Sequence, residues 1–129
     1  MADFFVPLAE GIYRSGSRPL KSAADGEAWT EAYDRLLARH DAVVTIVDAA
    51  LRPAPQAGKP LARWLKARRE ELGAKVRLTV YVAEDAGERA ALEERSAKAG
   101  KAFPYPTAVA ASFEEAGHLA RAALAARGA

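Results

Sequence analysis

The chain has 129 residues, of which 50% are apolar and 28% charged. This length and balance predict one globular domain over residues 1–129 and exclude a disordered tail or a fibre. The absence of cysteine excludes disulfide scaffolds, thiol catalysis and cysteine-ligated metal sites, and leads us to expect a cytoplasmic protein. No apolar run approaches the roughly 20 residues that span a bilayer, so we expect no membrane insertion.

The net charge of +2 is unevenly distributed along the chain. From Arg52 to Arg77 there are eight basic and two acidic residues, whereas Glu84 to Glu94 contains five acidic residues and one arginine. Neighbouring segments of opposite sign largely cancel each other's field at a distance. We therefore expect no nucleic-acid partner, although a basic protein of this size would otherwise suggest one.

The first half of the chain predicts a hairpin, a helix and a buried strand. Two short extended segments, Phe4–Leu8 and Ile12–Gly16, flank a turn that contains glycine. A helix follows from about Asp25 to His40, where we expect the histidine to cap the last carbonyl groups. The β-branched run from Ala42 to Val47 is typical of a central strand covered on both faces. Core positions of the helix are predicted at Trp29, Tyr33, Leu36 and Leu37.

The second half continues the alternation of helices and strands. Asp48 ends the central strand, and the loop from Ala49 to Gly58 leads to a helix over Leu61–Leu72, with Pro60 at its start and Gly73 as its end. Arg68 falls within the apolar arc of this helix, so we expect it either to extend to water or to pair with an acid such as Asp48.

The remaining segments complete the predicted fold. A strand over Lys75–Val82 precedes a helix from about Asp85 to Lys98, and a short strand over Ala108–Ala111 precedes a last helix. That helix begins with a capping box from Ser112 to Glu115. The order predicts an α/β fold: a mixed, mostly parallel sheet of four to five strands, an N-terminal hairpin and about four helices.

Few residues support catalysis. Neither histidine has a metal-binding neighbour, and no nucleotide-binding glycine motif or serine-hydrolase motif is present, so we expect no enzyme activity, metal or cofactor. The segment Ile12–Gly16 resembles the opening strand of tyrosine and dual-specificity phosphatases, but the chain lacks their cysteine nucleophile. Arg14, Ser15 and Arg18 are candidates for a small anion-binding turn, with a solvated hairpin end as the alternative.

Three features together resemble the family of sulfate transporter and anti-sigma factor antagonist (STAS) domains. They are the strand that ends in aspartate at Asp48, the helix and strand over Leu61–Val82, and the segment from Phe103 to Ala116 with its Ser-x-Glu-Glu-Ala helix start. The resemblance implies a small protein-binding module, sometimes switched by phosphorylation of a serine after that aspartate. Because no serine or threonine lies between Ile46 and Leu78, we expect this switch to be absent.

Our leading hypothesis is therefore a non-enzymatic, STAS-like module that binds a protein partner. The predicted surface lies at the carboxyl end of the central strand and along the following basic helix, and it consists of Asp48, Arg52, Lys59, Arg63 and Lys66. A solvated basic helix is the alternative for that surface. Alternative functions are a small-molecule or lipid-binding protein with a pocket near Asp48 and Tyr13, or an immunity or antitoxin-like inhibitor. A homodimer also fits a domain of this size.

Overall fold

Five helices and five strands alternate along the chain in a computed structural model, which describes residues 5–15, 20–48, 55–98 and 105–126. This confirms the predicted fold class, with one helix more than expected. In chain order the elements are β1 (Phe5–Ala9), β2 (Ile12–Ser15), α1 (Ala23–Arg39), β3 (Val43–Asp48), α2 (Pro55–Ala67), α3 (Arg69–Lys75), β4 (Val76–Val82), α4 (Ala86–Lys98), β5 (Thr107–Ala110) and α5 (Phe113–Ala126).

The strands form one mixed sheet in the order β1-β2-β3-β4-β5. β1 pairs with β2 in antiparallel orientation, and β2 through β5 are parallel. Because each parallel strand lies beside its predecessor, the crossovers advance in one direction across the sheet. β3 is the middle strand, as its unbroken β-branched sequence predicts.

Side chains alternate between the two faces of the sheet, and each face has its own apolar core. We call one the α1 face; Tyr13 and Val43 pack there with residues of α1, α2 and α3. The other, the α5 face, carries Ile12, Val44 and Ile46 packed against α5. Val43, Val44 and Ile46 have no exposed surface, so β3 is covered on both sides.

The turn of the N-terminal hairpin requires a glycine. Gly11 has φ +80°, a left-handed conformation, and a Cβ there would lie 3.3 Å from the carbonyl oxygen of Ala42. Its own carbonyl accepts a hydrogen bond of 2.8 Å from the amide of Val44. This hydrogen bond holds the turn against the start of β3. The hairpin therefore lies next to β3, with β1 at the edge of the sheet.

Side chains cap two helices as the sequence predicts. The Ser22 hydroxyl accepts a hydrogen bond from the Asp25 amide at the start of α1. At α5, Ser112 accepts from the Glu115 amide at 3.1 Å, and the Glu115 carboxylate accepts from the Ala111 amide at the same distance. This reciprocal pair confirms the capping box and satisfies amides that the helix leaves without a partner.

The single helix expected over Leu61–Leu72 is wrong in its bounds. α2 begins earlier, so Pro60 lies inside it, and the chain then bends at Arg68 (φ −105°, ψ 15°) before α3. The amide of Arg68 still donates to Trp64, and its carbonyl still accepts from Leu72. Gly73 does not end the helix, since the Lys75 ammonium anchors the last turn of α3 by donating to the Leu37 carbonyl at 2.6 Å.

Arg68 pairs with Asp34 of α1, and not with Asp48. Its Nε lies 3.1 Å from the Asp34 carboxylate, which also accepts a hydrogen bond of 2.9 Å from the indole nitrogen of Trp64. One carboxylate therefore fastens both α2 and the bend after it to α1. We call this set of three residues the Asp34 junction.

Four aromatic rings occupy the space beneath the junction. Phe5, Trp29, Tyr33 and Trp64 lie with neighbouring ring centroids 4.9–5.7 Å apart, in edge-on or tilted pairs. Such geometries favour the contact of a positive ring edge with a negative ring face. The cluster joins β1, α1 and α2 into one packed layer on the α1 face.

The two tryptophans provide a matched test of the junction. Both indoles donate a hydrogen bond, Trp64 to the Asp34 carboxylate and Trp29 to the neutral Ser15 hydroxyl at 3.2 Å. Because bonds to charged acceptors are stronger, we expect Trp64→Phe to lower the free energy of unfolding by about 2 kcal/mol and Trp29→Phe by about 1 kcal/mol. Urea denaturation measures both; equal losses would contradict the special role of Asp34.

Candidate functional site: the basic face of α2

α2 presents one apolar and one basic side. Pro60 and Trp64 are buried against α1, because the Asp34 junction fixes the rotation of the helix about its axis. Lys59, Arg63 and Lys66 are exposed. Spacings of four and three residues place these cations on one stripe of the helix. We call them the basic stripe.

No described ion pair joins an acidic side chain to the basic stripe. α2 itself contains no acidic residue. The described ion pairs of the neighbouring α3 join Glu71 to Arg68 and to Lys75, so this carboxylate is already engaged. The basic stripe therefore offers three positive charges without a described ion-pair partner, on a helix held by a packed core.

Asp48 occupies a different place from the basic stripe. It is half-buried at the carboxyl end of β3, and alternation along the strand places it on the α5 face, with Ile46. The basic stripe lies on the opposite side, because α2 packs on the α1 face. Arg52, the remaining predicted residue, lies outside the described residues. The structure thus brings together three of the five predicted partner-binding residues.

The predicted anion-binding turn is not assembled from its described residues. Ser15 is buried on the α1 face and accepts a hydrogen bond from Trp29. Arg14 points to the α5 face, where its guanidinium carbon lies 3.7 Å from the centroid of the Phe113 ring, a cation–π contact. Arg18 lies outside the described residues. Arg14 and Ser15 therefore point away from each other.

Tyr13 and Asp48 do not line a common pocket either. Tyr13 lies on the α1 face in register with Thr45, three residues before Asp48, which is about 10 Å along the strand. Its hydroxyl is 2.8 Å from Nε2 of His40. His40 follows α1 as expected, but its ring binds a side chain of β2 and not the last helical carbonyls.

A buried chain of hydroxyl groups lies on the α1 face, and sequence reasoning missed it. Thr45 and Thr79 stand side by side in β3 and β4 with their oxygens 3.1 Å apart, and the Tyr33 hydroxyl lies 3.4 Å from that of Thr45. Tyr105 lies close enough to interact with Thr79 as well. The available signal was a threonine in the middle of each of two mostly apolar strands.

Burial keeps Tyr33, Tyr81 and Tyr105 neutral. It raises the pKa of Tyr33 to about 12, against the lowering effect of the hydrogen bond from Thr45. Burial also raises the pKa of Tyr81 and that of Tyr105. The hydroxyls satisfy one another's hydrogen bonds, as buried polar groups require, and none of these phenols is activated as a base or nucleophile.

The Tyr33 hydroxyl makes stability fall at high pH. An unfolded tyrosine ionises near pH 10 and the folded Tyr33 only near pH 12, so stability is intact below pH 10 and declines between these values. We expect Tyr33→Phe to remove about 2–3 kcal/mol of this decline. Urea denaturation at neutral pH and above pH 10 measures it; identical pH profiles for both proteins would refute the assignment.

Among the described residues, no three or more histidine, aspartate or glutamate side chains are grouped so that they could hold a metal ion. None of the described helices is long and apolar enough to cross a bilayer.

Comparison with known proteins adds no relative. No protein-family model matches the chain, and neither the curated proteins nor the solved structures give a match.

Proposed function

We propose that this chain is a STAS-like, non-enzymatic module that binds a protein partner through the basic stripe of α2. The observation that carries the proposal is the alignment of Lys59, Arg63 and Lys66 on one helix without acidic residues, with no described ion pair to any of the three. Such a stripe attracts an acidic surface and orients it before contact. Asp48 lies on the opposite face of the sheet from this surface, and Arg52 lies outside the described residues.

The size of the basic stripe favours a protein over a nucleic acid. From Lys59 to Lys66 it extends about 10 Å along the helix, which matches only a few phosphates of one strand. The acidic residues Glu88, Glu93 and Glu94 of α4 would repel a longer polyanion. A compact acidic patch or an acidic helix has the dimensions of the stripe.

Partner binding in this proposal does not depend on phosphorylation after β3. The sequence from Val47 to Arg77 contains no hydroxyl side chain that could receive a phosphate. The stripe also needs no rearrangement of α2, because Trp64 and the Asp34 junction hold the helix in place. Binding is therefore constitutive and governed by the partner's concentration and by salt.

Charge reversal tests the proposal. We expect the triple variant Lys59→Glu, Arg63→Glu and Lys66→Glu to lose a partner that the unaltered chain captures from its native cells, as identified by mass spectrometry. Calorimetry with the purified partner should show at least a tenfold weaker affinity, because each cation then becomes a repulsive charge. Raising the salt concentration should weaken the unaltered complex in the same direction.

The control is a variant with equally exposed arginines of α1 reversed, Arg35→Glu and Arg39→Glu. It changes the net charge by four units where the triple variant changes it by six, but leaves the basic stripe intact. Retention of the partner by the control and loss by the triple variant support the proposed surface. Equal capture by both variants contradicts it, and recovery of nucleic acid in place of a protein contradicts the proposed partner class.

A further inference from the structure

Helices bury one face of the N-terminal hairpin more completely than the other. On the α1 face, Phe5 and Tyr13 are buried under α1. On the α5 face, Val6 is 44% exposed and Leu8 53% exposed, and these are the exposed large apolar residues of the described chain. α5 lies mainly over β3, β4 and β5, and it reaches Ile12 and Arg14 of β2 but leaves Val6 and Leu8 of β1 exposed.

The width of the sheet explains why α5 does not cover β1. Five strands at about 4.8 Å spacing make a sheet about 19 Å across between its outer strand axes, whereas one helix with its side chains is about 10–12 Å wide. α5 therefore covers only part of the α5 face. Between it and the hairpin runs an open groove of about 420 Å³, which we call the hairpin groove. Its lining residues are Leu8, Ala9, Ile12, Phe113, Glu114, Gly117, His118 and Arg121.

The charges beside the hairpin groove are mainly positive. Arg14 is half-buried and stacks on Phe113, and it has no carboxylate partner among the described residues. Arg121 is exposed about two turns further along α5, roughly 12 Å from Phe113 by helical rise. Glu114 contributes one negative charge, and His118 completes the set of titratable residues in the lining. A partly desolvated guanidinium without a counter-ion favours a ligand that supplies a carboxylate.

We propose that the hairpin groove binds an amphipathic helix of a protein partner, with two acidic residues about two turns apart along one edge of its apolar stripe. The apolar stripe packs on Leu8, Ile12 and Phe113. The carboxylates reach Arg14 at one end and Arg121 at the other, a separation that residues seven or eight apart on a helix provide. This site is distinct from the basic stripe, which lies on the other side of the sheet.

A helix fits this groove better than an added strand. β1 is the free edge of the sheet, but its central residue is Pro7, which has no amide hydrogen to donate. A strand added to β1 would therefore lack one backbone hydrogen bond at Pro7. A helix satisfies its own backbone and needs only the apolar floor and the charged rim.

Gly117 and Gly58 supply matched variants for a test. Gly117 lines the groove within α5, and a Cβ there would meet nothing within 4 Å; the same holds for Gly58 in α2, outside the groove. Both are helical glycines with open space at the Cβ position, and leucine improves helix propensity at each. Gly117→Leu fills the hairpin groove, whereas Gly58→Leu leaves it open.

The probe is a synthetic, fluorescently labelled alanine-based helix with a leucine stripe and glutamates seven residues apart. We expect it to bind the unaltered chain and Gly58→Leu equally, and Gly117→Leu at least tenfold more weakly, in fluorescence anisotropy titrations. Replacing its glutamates with lysines should weaken binding to the unaltered chain and restore it partly in Arg121→Glu. The triple variant of the basic stripe should bind the probe with unchanged affinity, which separates this proposal from the proposed function.

Four results would overturn the proposal. One is failure of the probe to bind the unaltered chain, and another is equal affinity for Gly117→Leu and Gly58→Leu. A third is a dimer of the unaltered chain in sedimentation that Gly117→Leu dissociates, since a second copy would then occupy the groove. The fourth is saturable binding of dodecanoate in the groove without binding of the peptide, which would assign the site to a fatty acid.

Discussion

The burial of β3 between two helical layers is the constraint from which the rest of the structure follows. Val43 and Val44 point to opposite faces, and both are inaccessible to solvent. Full burial of each such side chain contributes about 1.5–3 kcal/mol, so exposing either face would remove much of the stability of a small domain. Helices must therefore cover both sides, with α1 and α2 on one and α5 on the other.

Unequal cover of the two faces produces the two candidate surfaces. On the α1 face, neighbouring helices pack on each other, and the Asp34 junction turns the charged side of α2 outward. On the α5 face, α5 covers the centre of the sheet and leaves Val6 and Leu8 of β1 exposed. The α1 face thus exposes charged side chains of α2, whereas the α5 face exposes apolar side chains of β1. The difference arises because more helices cover the α1 face.

Local pattern predicted most of the architecture, and contacts distant in sequence account for what it missed. The β-branched run from Val43 and the capping box at Ser112 depend on neighbouring residues, so both were predictable. The pairing of Arg68 with Asp34 joins residues 34 positions apart, and no periodicity indicates it. Of the predicted site residues, the three on α2 share a helical face, whereas Arg14 and Ser15 diverge because successive residues of a strand alternate.

The two proposed surfaces have no residue in common, and the sheet separates them. An occupant of the hairpin groove touches β1, β2 and α5, whereas an occupant of the basic stripe touches α2. Because a helix packs about 10 Å from the sheet it covers, partners on the two sides do not collide through this domain. β2 and β3 are paired along the whole length of β2, and the Gly11 carbonyl binds the amide of Val44 in β3. The two strands therefore form a rigid unit, which does not transmit a conformational change from one surface to the other. The geometry therefore favours independent binding at the two surfaces over competition between them.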